Sequence, residues 1–199
     1  MNFPHKKFAT SIFFTLILIV ALSTALAGEQ KVLSDRLVRL HILANSDSES
    51  DQLLKLLVRD ALLVDASALQ YAENFTAEAL DDFYATAMRV LRENDSNYPV
   101  SVSIGRESYD TRIYDGWALP SGEYNSLRVI IGEGNGKNWW CVLFPPLCIS
   151  AAEDFEDVAI KAGLTEDEVA LIKGEDSGFI VKFKLIEIFQ SFIARLKGK

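Results

Sequence analysis

The sequence predicts an α+β fold: a mainly antiparallel sheet with helices packed on one side, preceded by an N-terminal hydrophobic signal helix. Three observations predict it. Segments with strand character cluster in the middle of the chain, at Tyr98–Gly105, Leu127–Ile131 and Trp139–Phe144, with one more at Leu33–Ala44. Two long stretches of helical periodicity stand together, Glu49–Tyr71 and Thr76–Glu93. The order strand, two helices, several strands, further helices suits an antiparallel sheet with a helical layer. With 199 residues, 49% apolar and 24% charged, the chain can bury one real core.

The N-terminus sets the compartment. His5, Lys6 and Lys7 precede an uncharged run from Phe8 to Gly28, which closes on Ala25-Leu26-Ala27. A basic start, an apolar stretch and an A-x-A site together make an export signal. Cleavage after Ala27 leaves residues 28–199 as a single extracytoplasmic α+β domain. The other reading keeps residues 1–27 as an anchor, because the run approaches the length of a membrane span. Either way Glu29 onward lies outside the cytoplasm.

In the first strand Val38, Leu40, Ile42 and Ala44 alternate with Arg39 and His41. Asn45-Ser46-Asp47-Ser48 breaks it, since short polar side chains bond to nearby backbone. Ser48 with Asp51 approximates a capping box for the first helix. Leu53, Leu56, Leu57, Ala61 and Val64 are expected on its buried face, with Asp51, Lys55 and Arg59 as a surface ladder. The second helix places Leu80, Phe83, Ala87 and Leu91 inward. Val100, Val102 and Ile104 alternate with serines in a half-buried strand, beside which Thr111–Tyr114 can pair.

Leu127–Ile131 and Trp139–Phe144 read as a β-hairpin. Asn135-Gly136 supplies the residues that a type I′ turn demands, and Pro145-Pro146 stops the second strand. Residues 151–174 predict one or two short helices, one starting at Thr165. Val181–Leu196 predicts a last helix with Phe183, Ile186, Phe189 and Ile193 inward.

A net charge of −8 argues against nucleic acid, whose binding needs basic surface. It equally disfavours adhesion of the folded domain to an anionic membrane, so the membrane is met only through the N-terminal segment. Cys141 and Cys148 flank Pro145-Pro146. In an oxidising exterior two cysteines usually pair, and this loop is worth roughly 2.5 kcal/mol. Two buried thiols are the alternative. A zinc site would have to borrow His41 and a distant carboxylate, without a C-x-x-C pair.

Familiar chemistry does not fit. Gly132-Glu133-Gly134-Asn135-Gly136-Lys137 has the wrong spacing for a phosphate loop and leads into Trp139, not a helix. Asp47-x-Glu49-x-Asp51 lacks the glycine and the final glutamate of a calcium loop. Asp176-Ser177-Gly178 lacks the apolar strand of an aspartic-protease motif. His41 is the one histidine after the signal, and no G-x-S-x-G elbow accompanies it. No catalytic, metal or cofactor constellation emerges.

Two stretches nonetheless form fingerprints. Arg39-Leu40-His41-Ile42-Leu43-Ala44-Asn45-Ser46-Asp47-Ser48, continuing through Asp51-Gln52, Lys55 and Val58-Arg59-Asp60, resembles the N-terminal signature of the stage II sporulation protein R family. Leu127–Gly134 and Asn138–Cys148, which reads NWWCVLFPPLC, resemble that family too, as does Val181–Glu187. The resemblance runs from about Val32 to Phe189. It places no role on residues 151–178.

The resemblance implies an activating ligand rather than an enzyme. Such proteins are exported from the forespore into the space between the two membranes. Their implied partner is a membrane-embedded aspartic protease of the mother cell, which then processes pro-sigma-E; no small-molecule substrate or cofactor is implied. Contact residues must be read physically. Trp139 and Trp140 point to opposite faces if they lie in a strand, so one can meet a partner. The Asn45-Ser46-Asp47 turn is the second candidate surface. The competing readings are an extracytoplasmic hydrolase working through His41 and a wall-associated binding module.

Overall fold

The computed structural model describes residues 10, 11, 13–15, 17, 18, 31–69, 77–114, 116–145, 147, 155–161 and 163–173. Thr10, Ser11, Phe13, Phe14, Thr15, Ile17 and Leu18 are helical. The remainder of the expected signal helix lies outside the described residues, as do Cys148 and the helix expected over Val181–Leu196. Among the described residues, no helix is long and apolar enough to cross a membrane.

The main elements are β1 (Val38–Leu43), α1 (Glu49–Leu69), α2 (Ala77–Glu93), β2 (Val100–Tyr109), β3 (Arg112–Ile113), β4 (Ala118–Leu119), β5 (Gly122–Ile131), β6 (Asn138–Phe144), α3 (Phe155–Lys161) and α4 (Glu166–Lys173). Four strands form one sheet in the order β2-β5-β1-β6. β1 runs parallel to β5 and antiparallel to β6, while β2 and β5 are antiparallel. The sheet is therefore mixed rather than simply antiparallel. Its parallel pair follows from the long connection between β1 and β5, in which β2, antiparallel to β5, takes the chain back to the end where β1 begins.

Three expectations change here. First, Leu33–Ala44 is not all strand: residues 31–36 form a helical turn, and β1 starts at Val38. Second, β5 and β6 do not make a hairpin, because β1 is inserted between them. The connection must then span two strand spacings, about 9.6 Å, which a two-residue turn cannot do. Its left-handed residues are Gly132 and Gly134, not Asn135-Gly136. Third, Arg112–Ile113 pairs with Ala118–Leu119 in a separate small sheet, not with β2.

Both faces of the large sheet are covered. Leu40, Ile42, Leu127, Val129, Ile131, Cys141 and Leu143 face α1 and α2, where Leu54, Val58, Leu62, Phe83, Ala87 and Leu91 close the first core. Helices were expected on this side alone. A second core lies opposite: Leu33, Leu37, Tyr124 and Val142 meet Trp117 and Leu119, then Phe155, Ala159, Val169 and Ile172 of α3 and α4. The cause is that β6 carries apolar side chains on both faces and β5 adds Tyr124 to the second, so each face needs a cover.

The buried stripe of α1 also differs from expectation. Leu53 and Val64 are exposed, while Leu54, Val58 and Leu62 are buried. The stripe is rotated by about one position because Asp51 and Lys55 turn inward and are themselves buried. By contrast α2 buries Phe83, Ala87 and Leu91 as its periodicity predicts. α4 begins with a true capping box, in which Thr165 and Glu168 each accept from the other's backbone N–H.

Candidate functional site

The polar turn after β1 and the glycine loop after β5 meet at one end of the sheet. Asn45 accepts from Glu133 N–H through Oδ1 at 3.0 Å and from Asn135 N–H through its carbonyl at 3.1 Å. Asp47 Oδ1 accepts from Lys137 N–H at 2.7 Å. Gly136 N–H donates to Ala44 O at 2.9 Å. The fit tolerates no side chain there: a Cβ on Gly136 would lie 2.2 Å from the Ser46 carbonyl oxygen, and one on Gly132 2.2 Å from Asn45 Oδ1.

Asp51 locks this knot from below. Its Oδ2 accepts from Ser46 Oγ at 2.6 Å and Asn45 Nδ2 at 2.8 Å. Those hydroxyl and amide donors hold its carboxyl below the usual aspartate range, against a smaller opposing effect of burial. Ser48 Oγ caps its N–H at 3.2 Å, so half of the expected capping box exists. Lys55 donates to Lys137 O at 2.9 Å and Gln52 Oε1 at 2.6 Å. Burial pushes its ammonium below the usual lysine range. Asp51 and Lys55 are thus internal struts and not the surface ladder that spacing suggests. Asn45, Ser46 and Asp47, read as a candidate contact surface, are spent largely on this knot.

Trp139 and Trp140 point to opposite faces, as a strand requires. Trp139 packs half-buried against the first core, with the Arg59 guanidinium 4.4 Å from its ring centre. Trp140 lies half-buried on the other face, stacked on His41 at 5.5 Å and beneath Arg112 at 4.1 Å. Cys141, next along, is buried and disulfide-bonded; Cys148, the chain's other cysteine, is outside the described residues.

Around Trp140 the second face of the sheet is polar. Strand alternation brings Arg39 and His41 of β1, Glu107 and Tyr109 of β2, and Ser126 and Arg128 of β5 to this one face. Glu107 is the hub. Ser126 Oγ donates to its Oε2 at 2.6 Å, His41 Nδ1 lies 3.1 Å away and Tyr109 donates at 3.2 Å. Tyr109 also sits 2.6 Å from Ser126 Oγ. Burial alone would push the Glu107 carboxyl up, but the Ser126 bond, the His41 contact and the Tyr109 bond together hold it below its ordinary value. Burial drives the Tyr109 phenol far above its usual range.

Arginines surround this hub. Arg39 is wholly buried. It donates to Cys141 O at 3.2 Å and Tyr114 Oη at 2.9 Å, and lies 4.1 Å over the Tyr109 ring. Arg128 approaches Glu107 only to 3.7 Å. Nη1 of Arg39 and Nε of Arg112 and Arg128 are buried without an acceptor. This face has more donors than acceptors, which is unusual for buried groups.

Chemically the cluster is poorly arranged for nucleophilic catalysis. A serine nucleophile needs its hydroxyl on the histidine base. Here Ser126 is buried, donates to Glu107 and takes Tyr109 as its second partner. His41 Nε2 has no hydrogen-bond partner. Among the described residues, no cluster of three or more His, Cys, Asp and Glu side chains could hold a metal. Sequence reading singled out His41 and Trp140 but missed Glu107, Ser126, Arg112 and Arg128. A signal existed: Arg39, His41 and Arg128 interrupt otherwise apolar strands.

A family model described as Stage II sporulation protein R matches residues 34–154. Stage II sporulation protein R of Bacillus subtilis (strain 168) is 31% identical over 216 aligned positions, covering 89% of this chain and 96% of that relative. No solved structure matches. The family match encloses all four strands of the large sheet, the knot and the polar face.

Proposed function

The chain belongs to the stage II sporulation protein R family, and from that premise we propose that it is an exported activating ligand. In this reading the forespore exports it into the intermembrane space. There it switches on a membrane-embedded aspartic protease of the mother cell, which converts pro-sigma-E to sigma-E. Residues 1–27 serve as signal peptide or anchor, and the domain from residue 28 delivers the signal.

One observation carries the reading: the similarity spans 89% of this chain and 96% of the relative. Relatives alike from end to end share a whole working unit and not merely a scaffold onto which another function is grafted. The basic, apolar and A-x-A pattern at the N-terminus supports export. The direction of the Ser126 hydroxyl, away from His41 and onto Glu107, supports a ligand over a hydrolase.

The test is to express the full chain with the protease and its pro-protein substrate and follow cleavage. Activation is expected with this chain and absent without it. No cleavage by a protease shown to be competent under the same conditions overturns the reading. If His41→Ala leaves activation intact, the hydrolase alternative fails, because a hydrolase working through His41 cannot lose its base. A wall-associated module would instead bind isolated peptidoglycan with no protease present.

A further inference from the structure

We propose that the corner formed by Arg112, Arg128 and Trp140 is a docking surface for an acidic segment of a partner protein, whose carboxylates pair with the two guanidinium groups. The inference rests on the reading of this chain as a ligand that touches a partner, and it names the chemistry of that contact.

The charge balance of this face is the first support. The chain as a whole is acidic, at −8. Yet among the described residues three guanidinium groups, those of Arg39, Arg112 and Arg128, share this face with one central carboxylate, Glu107. Glu107 is already engaged by Ser126, His41 and Tyr109. Arg128 remains 3.7 Å from it, beyond hydrogen-bond reach, and 43% of the Arg128 side chain is exposed. An acidic segment is repelled by most of the molecule and attracted here, which gives specificity as well as affinity.

The donors supply the second support. Nε of Arg112 and of Arg128 each lacks an acceptor while buried. The Arg112 guanidinium carbon lies 4.1 Å from the centre of the Trp140 ring. A guanidinium over a ring keeps its N–H groups at the edge, and here the Nη groups, not the buried Nε, are the ones able to grip a carboxylate. Beneath them Arg39 is sealed, with Nη1 unpaired and, among the described residues, no carboxylate paired with it. It adds positive potential that no ion pair cancels.

A peptide fits better than a small free anion. The donors sit on a half-open sheet face beside a half-buried tryptophan, whereas small-ligand sites enclose most of their guest. Trp and Arg side by side form the composition of interface hot spots.

The experiment uses the full chain in a neutral detergent. Arginine Nε–H resonances are followed by nuclear magnetic resonance during titration with a blocked oligoglutamate peptide, its glutamine counterpart and glutarate. The glutamate peptide is expected to shift the Arg112 and Arg128 signals, and Arg112→Gln or Arg128→Gln to weaken binding by about tenfold. The glutamine peptide is expected to leave the signals in place. An unchanged thermal midpoint shows that each variant folds. No shift with the glutamate peptide, or equal affinity in both variants, overturns the proposal. Glutarate binding as tightly as the peptide also overturns it, in favour of a small-carboxylate site. No protease enters this measurement, so it can fail while activation stands, and activation can fail while the peptide binds.

Discussion

The knot at the end of the sheet and the polar face around Glu107 are built from similar residues with opposite outcomes. In the knot, Asp51 takes donors from Asn45 and Ser46, while Lys55 gives to Gln52 and the Lys137 carbonyl. Donors and acceptors there answer one another. On the polar face, three arginine nitrogens are buried with nothing to accept from them. A satisfied buried network specifies structure, and an unsatisfied one costs stability unless something else completes it. The residues most recognisable in the sequence therefore hold the fold, and the face they hold open is where we propose that a partner is met.

The strongest way to break that contrast is at the knot. Gly136→Ala would set a Cβ 2.2 Å from a backbone oxygen that cannot swing aside. We expect a loss of about 3 kcal/mol or more in urea unfolding, with activation failing only as far as the fold fails. A stable Gly136→Ala protein would show that the two loops are not locked. The paired tryptophans come next. Trp139→Ala empties a place against the first core and should cost about 3 kcal/mol. Trp140→Ala should cost less stability and more activation, because Trp140 supports Arg112. Equal losses from both would erase the distinction between the two faces. Cys148→Ser should cost about 2.5 kcal/mol, and the native chain should gain about two hydrogens in mass on reduction if it is paired with Cys141.

Acid sharpens the same comparison. The folded-state value of the Asp51 carboxyl is depressed by the Ser46 and Asn45 donors. Its contribution is complete above the unfolded value, about 3.9, and is lost as pH falls through the lower folded value. Glu107, also depressed, loses its contribution in the same way below the ordinary glutamate value. Urea midpoints measured from pH 7 to pH 3 should therefore fall at the acid end. Asp51→Asn should flatten much of that fall, and Glu107→Gln less of it. A fall unchanged in both variants would remove these carboxylates from the account.

What could be read from the sequence follows from how local each feature is. α2 was legible because one helix carries its own pattern, Phe83, Ala87 and Leu91 at helical spacing. The start of α4 was legible because Thr165 and Glu168 are partners three residues apart. The hairpin was misread because Asn135-Gly136 is a local turn signal overruled by a strand more than ninety positions earlier: β1 enters between β5 and β6, and Gly136 donates to Ala44. The same distance hid Asp51 and Lys55, whose i, i+4 spacing looks like any surface ladder until the Lys137 carbonyl is set above them. Glu107 was invisible because only the pairing of β2 with β5, and of β5 with β1, brings it to His41 and Ser126.

The smallest effect on stability is also the most telling for the polar face. Arg128 makes no hydrogen bond with its buried Nε. It reaches Glu107 only at 3.7 Å, through a side chain 43% exposed. A contact of that length, without a hydrogen bond, contributes little, so Arg128→Gln should leave the unfolding free energy within about 0.5 kcal/mol of the native chain. If the face serves only to pack the sheet, activation should be equally untouched. If it receives a partner's carboxylate, activation should fall several-fold at constant stability, and raising salt should weaken the native chain more than the variant, because the lost interaction is a screened one. The outcome separates a surplus of positive charge kept for binding from one left over by folding.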